Sequence, residues 1–230
     1  MRRSAPSTDR SGFTMLEVII AATIFTIVIA ITLQHLCEIA DVSTVTTLQA
    51  DLRRTGQDVL ARMAEDLRAT QARSCSFTQD TIELTRIVGF DPSTGTPVLE
   101  NDPAGDPIYI RYTSPLDAVT PDGRYGVLRM KKVASARMGS APWIELSREL
   151  DRPPAGFTVT ALQGLAGGGA ALLPATDLLS LAPANHLPNQ PTLLRITLAL
   201  QRRIGMAAAG EQFVKATLST EIQLRADGGY

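Results

Sequence analysis

The chain has 230 residues, 44% of them hydrophobic and 20% charged, which is enough apolar content for a folded domain of ordinary size and excludes a chain disordered throughout. Its formal net charge of -1 excludes recruitment to a polyanion through bulk charge. Two histidines supply little material for an enzymatic constellation.

Residues 1–12 form a short leader in which Arg2, Arg3 and Arg10 outweigh Asp9, and which ends in Ser11-Gly12. Phe13 follows, then Thr14-Met15-Leu16 and Glu17. From Val18 to Cys37 there is no acidic residue, lysine, arginine, proline or glycine. About 20 residues rising ~1.5 Å each reach ~30 Å, one hydrocarbon thickness. In lipid a single segment satisfies its backbone hydrogen bonds only as a helix. The positive leader is expected to stay cytoplasmic and send the rest of the chain across the membrane.

Glu17 is the anomaly of this segment. An ionised carboxylate costs on the order of 2 to 3 kcal/mol in lipid unless it meets a partner. If the leader is cut after Gly12, the new amino group on Phe13 lies one helical turn from Glu17, and in a packed filament a neighbour's amino terminus is a second cation within reach. Pairing of this kind sets register between subunits better than it adds stability. An ordinary secretory signal has a shorter apolar region of about 7 to 15 residues and a small-residue cleavage site, neither of which is found here. A plain signal anchor leaves the acid at the head of the run without a purpose.

Beyond the apolar run, residues 34–72 continue without proline while the apolar positions narrow to a stripe. Leu48, Leu52, Val59, Leu60, Met63 and Leu67 recur at helical spacing among Asp51, Arg53, Arg54, Asp58, Arg62, Glu65, Asp66 and Arg68. Gly56 within this stripe points to close packing or a bend. Ser43, Thr44, Thr46 and Thr47 mark the weakest helix propensity and the expected place for a local break. If residues 37–72 are one helix, Cys37 and Cys75 lie ~50 Å apart. A disulfide needs Cα atoms within about 7 Å, so no intramolecular bridge is expected.

From Ser74 onward short alternating runs predict strands over 81–88, 107–113, 125–133, 143–150, 157–162, 193–200 and 213–225. Ile196, Leu198 and Leu200 share one face. Phe213, Lys215, Thr217 and Ser219 oppose Val214, Ala216, Leu218 and Thr220. Turns are signalled at 91–95, 101–106 and 121–123, the last closing a hairpin. Residues 163–191, with Gly167-Gly168-Gly169, read as a long connection. Helix first and strands afterwards is the order of an α+β domain, in which a long transmembrane-to-amphipathic helix packs on a mainly antiparallel sheet.

The basic leader ending in Gly12, the aromatic Phe13, Glu17 at the fifth position from the cut and the apolar run together resemble the type III signal of type IV pilins and type II secretion pseudopilins. The resemblance is specific over residues 11 to about 40 and architectural beyond them. It implies that Gly12 precedes the scissile bond, that Phe13 becomes the N-methylated terminus, and that Glu17 governs methylation and assembly. The implied partners are prepilin peptidase, other pilin or pseudopilin subunits, an inner-membrane assembly platform and membrane lipid. The implied division is leader 1–12, transmembrane and assembly helix 13–36, amphipathic continuation 37–73 and a β-rich periplasmic domain 74–230, with filament association after assembly. The proline-free stretch between Pro6 and Pro92 is more similar to pseudopilins and many minor subunits, and the large body, with late strands ending in Leu224-Arg225, looks like a J-type minor pseudopilin or its minor type IV pilin counterpart.

Other chemistry finds little support. His35 ends the apolar helix and His186 stands alone in a loop context. No G-x-S-x-G, H-E-x-x-H or C-x-x-C motif occurs, and the glycine triplet lacks the Lys-Ser or Lys-Thr of a phosphate-binding loop. No catalytic residue, cofactor or metal is therefore expected. Asp102 with Asp106, or Asp117 with Asp122, lack calcium-loop spacing, and aspartate is common in turns. Arg124, Arg129, Lys131, Lys132 and Arg137 read as a charged edge strand. With no interleaved aromatics except Tyr125, nucleic acid is not an expected partner.

Overall fold

The computed structural model describes residues 13–70, 75–134, 137–164, 170–172, 192–207 and 210–224. One helix, α1 (Met15–Arg68), precedes the strands β1 (Cys75–Phe77), β2 (Thr81–Thr85), β3 (Ile87–Phe90), β4 (Pro97–Leu99) and β5 (Ile108–Thr113). β6 (Gly126–Ala134), β7 (Ile144–Leu150), β8 (Phe157–Gly164), β9 (Ala170–Leu172), β10 (Thr192–Ala207) and β11 (Gly210–Gln223) follow. The chain divides into two compact units, one ending at Thr47 and one beginning at Leu48.

α1 is unbroken across the threonine-rich stretch where the sequence predicts a weak point. The hydroxyls of Thr44, Thr46 and Thr47 donate to the carbonyls of Ala40, Val42 and Ser43 at 2.9, 2.8 and 2.9 Å. Bonding back to the helix keeps these side chains from competing with it for backbone partners.

In the second unit, α1 buries Leu52, Gly56, Val59, Leu60, Met63, Ala64, Asp66 and Leu67. That spacing is one face of a 3.6-residue period. The face lies on a sheet ordered β1-β2-β5-β6-β7-β10-β8-β9, with β11 on β10, and every pairing in it is antiparallel. β7 and β8 meet β10 in succession. Leu150 pairs with Leu200, and Phe157–Gln163 pair with Thr192–Leu198. Between them Asp151 N donates to Ala199 O at 2.7 Å and Ala199 N donates to Gly156 O at 2.9 Å.

Directly opposed residues share a face, so the register lays down rows of core. Phe77, Ile82, Tyr112 and Met130 form one row, and all four are buried. Ala161, Leu194 and Ile222 form another, as do Val159 and Ile196. The alternation predicted for the last two strands holds. Ile196, Leu198, Leu200, Val214 and Ala216 are buried, whereas Lys215, Thr217 and Ser219 are exposed.

The strand predicted over 81–88 is divided at Arg86. There the chain leaves the main sheet, because Ile87 N donates to Ala69 O and Glu100 N donates to Arg86 O, and β3 pairs with β4 as a separate two-stranded sheet. β6 lies between β5 and β7, so the edge-strand reading of the basic cluster is corrected. The connection read over 163–191 contains a short strand, since β9 pairs with β8, while residues 165–169 and 173–191 lie outside the described residues.

Gly56 and Gly156 are among the glycines at which the backbone closely approaches its neighbours. A Cβ on Gly56 would meet the Cδ1 atoms of Leu218 and Leu200 at 2.7 and 2.8 Å, the ends of side chains that can rotate. A Cβ on Gly156 would collide with the backbone carbonyl of Asp151, which cannot. Gly56→Ala is therefore expected to stay within about 1 kcal/mol of the parent, helix propensity offsetting repacking. Gly156→Ala is expected to lose about 1–3 kcal/mol. Denaturant unfolding of the two variants checks this contrast.

Candidate functional site

The N-terminal turn of α1 is built by Thr14 and Glu17. Thr14 N and Thr14 Oγ1 donate to Glu17 Oε2 at 2.9 and 3.0 Å, and Glu17 N donates to Thr14 Oγ1 at 3.3 Å. Val18 N donates to Thr14 O at 3.3 Å. This is a capping box, a reciprocal satisfaction of amides that the first turn otherwise leaves unpaired. Glu17 thus has a local partner in its own chain in addition to any cation it meets. The Thr-x-x-Glu spacing just before an apolar run is the sequence signal for it.

Phe13, Glu17, Val18, Ala21, Ala22 and Phe25 line a shallow open groove on the helix surface. Both alanines are small, and Phe13 and Phe25 are exposed by 87% and 66%. Every residue from Phe13 to Thr44 is exposed. The hydroxyls of Thr23, Thr26 and Thr32 donate to the carbonyls of Ile19, Ala22 and Val28, each at 2.8 Å, which hides the polar groups this run contains. The helix is long and apolar enough to cross a membrane. Gly12 and the leader lie outside the described residues.

A second polar cluster, not singled out by sequence, lies in the body. Tyr112 Oη donates to Asp66 Oδ2 at 2.5 Å, and both residues are buried. Arg86 Nε is 3.6 Å from Asp66 Oδ1, Arg86 Nη1 is 3.8 Å from Glu100 Oε2, and Lys132 Nζ is 2.7 Å from Glu100 Oε1. Burial first, then the Asp66 carboxylate, raises the Tyr112 phenol above its ordinary range. A phenol kept protonated there is a donor, and its task is to satisfy an aspartate on the core face of α1.

The basic cluster does not form one patch. Lys131 is buried, donates to Met138 O at 3.0 Å and sits 4.4 Å from the Trp143 ring centroid, while Lys132 pairs with Glu100. Consecutive residues of a strand point to opposite faces, which separates the two lysines. Asp102 accepts from Ala104 N and Asp106 N at 2.8 and 3.0 Å. Asp122 accepts from Thr120 Oγ1 at 2.5 Å and from Arg124 N, and the threonine bond in particular holds its carboxyl below the usual range. These aspartates organise turns. Among the described residues no group of three or more histidine, cysteine, aspartate or glutamate side chains is gathered as for a metal. His35 Nδ1 lies 3.4 Å from Glu38 Oε2, and His186 and the glycine triplet lie outside the described residues. Cys37 is an exposed free thiol and Cys75 a buried one, whose pKa burial pushes up to about 12.

Residues 7–33 match the family model described as the prokaryotic N-terminal methylation motif. The chain therefore carries the signal of type IV pilins and pseudopilins, and the match spans both Gly12 and the Thr14–Glu17 cap. The motif implies processing by prepilin peptidase and assembly with other pilin subunits, and with the long apolar helix it fits anchoring by a single membrane span. No curated protein and no solved structure matches the chain.

Two outcomes follow from this geometry. Tyr112→Phe leaves Asp66 without its hydroxyl donor and is expected to cost about 1–3 kcal/mol, read by denaturant unfolding. In detergent solution a maleimide is expected to modify Cys37 in the folded chain and Cys75 only after unfolding, read by peptide mass.

Proposed function

We propose that this chain is a minor pseudopilin of a type II secretion system, a structural and mechanical subunit and not an enzyme. The observation that carries the reading is the coincidence of the methylation motif with a helix whose apolar side chains are exposed all round as far as Val42. Such a helix needs an apolar environment on every side, and a membrane and a bundle of identical helices both supply one.

In this reading residues 1–12 are removed after Gly12, Phe13 receives a methyl group, and residues 13–36 span the inner membrane. Arg2, Arg3 and Arg10 keep the leader cytoplasmic, which puts residues 74–230 in the periplasm, with 37–73 as the amphipathic continuation. An assembly platform then draws the helix from lipid into a short filament of sibling subunits. The Glu17 carboxylate, already oriented by Thr14, meets a neighbour's amino terminus, so that register is set by a charge pair. The large body is accommodated most easily at or near the tip, where fewer neighbours crowd it. The uninterrupted α1, with no proline between Pro6 and Pro92, is the pattern of pseudopilins and of many minor subunits, and a minor type IV pilin acting in pilus assembly, adhesion or DNA uptake is the second reading.

Intact-mass analysis of protein extracted from membranes with and without prepilin peptidase tests the class. The expected product begins at Phe13 and carries one extra methyl group, whereas a chain that retains Met1 beside an active peptidase contradicts the proposal. Glu17→Ala is expected to be cleaved normally and to be missing from the sheared filament fraction. Its recovery there at parental level would remove the acid from assembly.

A further inference from the structure

Residues 86–100 form an arm outside the main sheet. β3 and β4 pair with each other, and among the described residues they pair with no other strand. The arm presents Val88, Phe90 and Val98 to solvent, exposed by 63%, 44% and 43%. Its root is narrow. Glu100 N donates to Arg86 O at 2.9 Å, Ile108 N donates to Glu100 O at 2.8 Å, and Ile87 N donates to Ala69 O, just past the last turn of α1, at 2.7 Å.

The side chains at the root differ in how tightly they are held. Lys132 grips Glu100 at 2.7 Å from the main sheet, and Tyr112 grips Asp66 at 2.5 Å. Between these two firm contacts, Arg86 stands 3.6 Å from Asp66 and 3.8 Å from Glu100. Arg86 Nε and Glu100 Oε2 are buried and make no hydrogen bond among the described residues. Attraction at these separations is charge–charge and nondirectional; it weakens gradually with displacement, whereas a hydrogen bond fails abruptly. Arg86 and Glu100 keep 30% and 25% of their side chains exposed while the Arg86 Nε and Glu100 Oε2 atoms themselves are buried, so salt screens the attraction less than it screens a fully exposed pair.

We infer that Asp66, Arg86 and Glu100 form a clasp that straps the β3–β4 arm to the last turn of α1, so that the arm opens as one unit when the clasp is broken. Asp66 belongs to the helix, Arg86 and Glu100 to the two ends of the arm. A movement of the last helical turn therefore reaches the arm through the Asp66–Arg86 contact, and the apolar side chains the arm carries move with it. Tyr112 and Lys132 hold the outer members of the clasp to the sheet, which leaves Arg86 as the part that lets go.

Hydrogen exchange of the full chain in detergent micelles tests this, comparing the parent with Asp66→Asn and Glu100→Gln, which remove charge and keep shape. The expected result is exchange about ten-fold faster at the amides of 87–99, with the amides of β10 and β11 unchanged. Arg202→Gln serves as the control, because Arg202 is an arginine hydrogen-bonded to Glu149 and Asp51 elsewhere on the body, and its loss is expected to leave the arm protected. Unchanged protection of 87–99 in both clasp variants overturns the inference. So does acceleration spread evenly over β10 and β11, or an equal opening of the arm in Arg202→Gln.

Discussion

Everything in this molecule depends on how one helix keeps its side chains out of water along its length. From Met15 to Thr44 all residues of α1 are exposed, and most are isoleucine, valine, leucine, alanine or phenylalanine. Burying one such large side chain is worth about 1.5–3 kcal/mol, so leaving the whole run hydrated is opposed by on the order of tens of kcal/mol. From Leu52 onward the same helix has a single apolar face, and the sheet covers it. The two parts obey the same requirement and meet it differently. The second part is satisfied within the chain, whereas the first needs lipid or other helices.

The polar groups follow from that division. In the first part threonine hydroxyls turn back to carbonyls one turn earlier, and Glu17 is drawn into the cap of its own helix by Thr14. The hydroxyls are thereby satisfied for an apolar environment, whereas the cap satisfies one Glu17 oxygen and leaves the charge to be met by a cation. In the second part the buried Asp66 is balanced by a phenol and by Arg86, and Glu100 by Lys132. Burial of charge is costly unless each member is paired, and here the pairing draws on the helix, three strands or their ends, and the root of the arm. That makes the network a joint between elements.

The elements with long periods were legible in the residues. The amphipathic stripe and the alternation of the last two strands follow from spacing, and the glycine within the stripe marks the close approach at Gly56. The three-residue strands β1, β4 and β9 are too short to show a period. The run Ile82 to Val88 gives no sign that the chain changes sheets at Arg86, because that break is made by Ala69 and Glu100, distant in sequence. Strand order is likewise a tertiary fact, which is why β6 reads as an edge and is central. The Thr14–Glu17 cap is written in the sequence as Thr-x-x-Glu, at a position where the same acid also reads as the partner of a cation. Asp66 and Tyr112 are 46 positions apart, and nothing local links them.

The requirement for apolar cover is tested most directly by the surroundings of the helix midpoint. A spin label placed through Ile27→Cys, in a chain with Cys37→Ser, reports oxygen and a water-soluble nickel chelate as competing relaxants in reconstituted bilayers. The account predicts strong relaxation by oxygen and almost none by the chelate. Relaxation by the chelate equal to that of a label on the exposed turn at Ser93 would place the segment in water and contradict it.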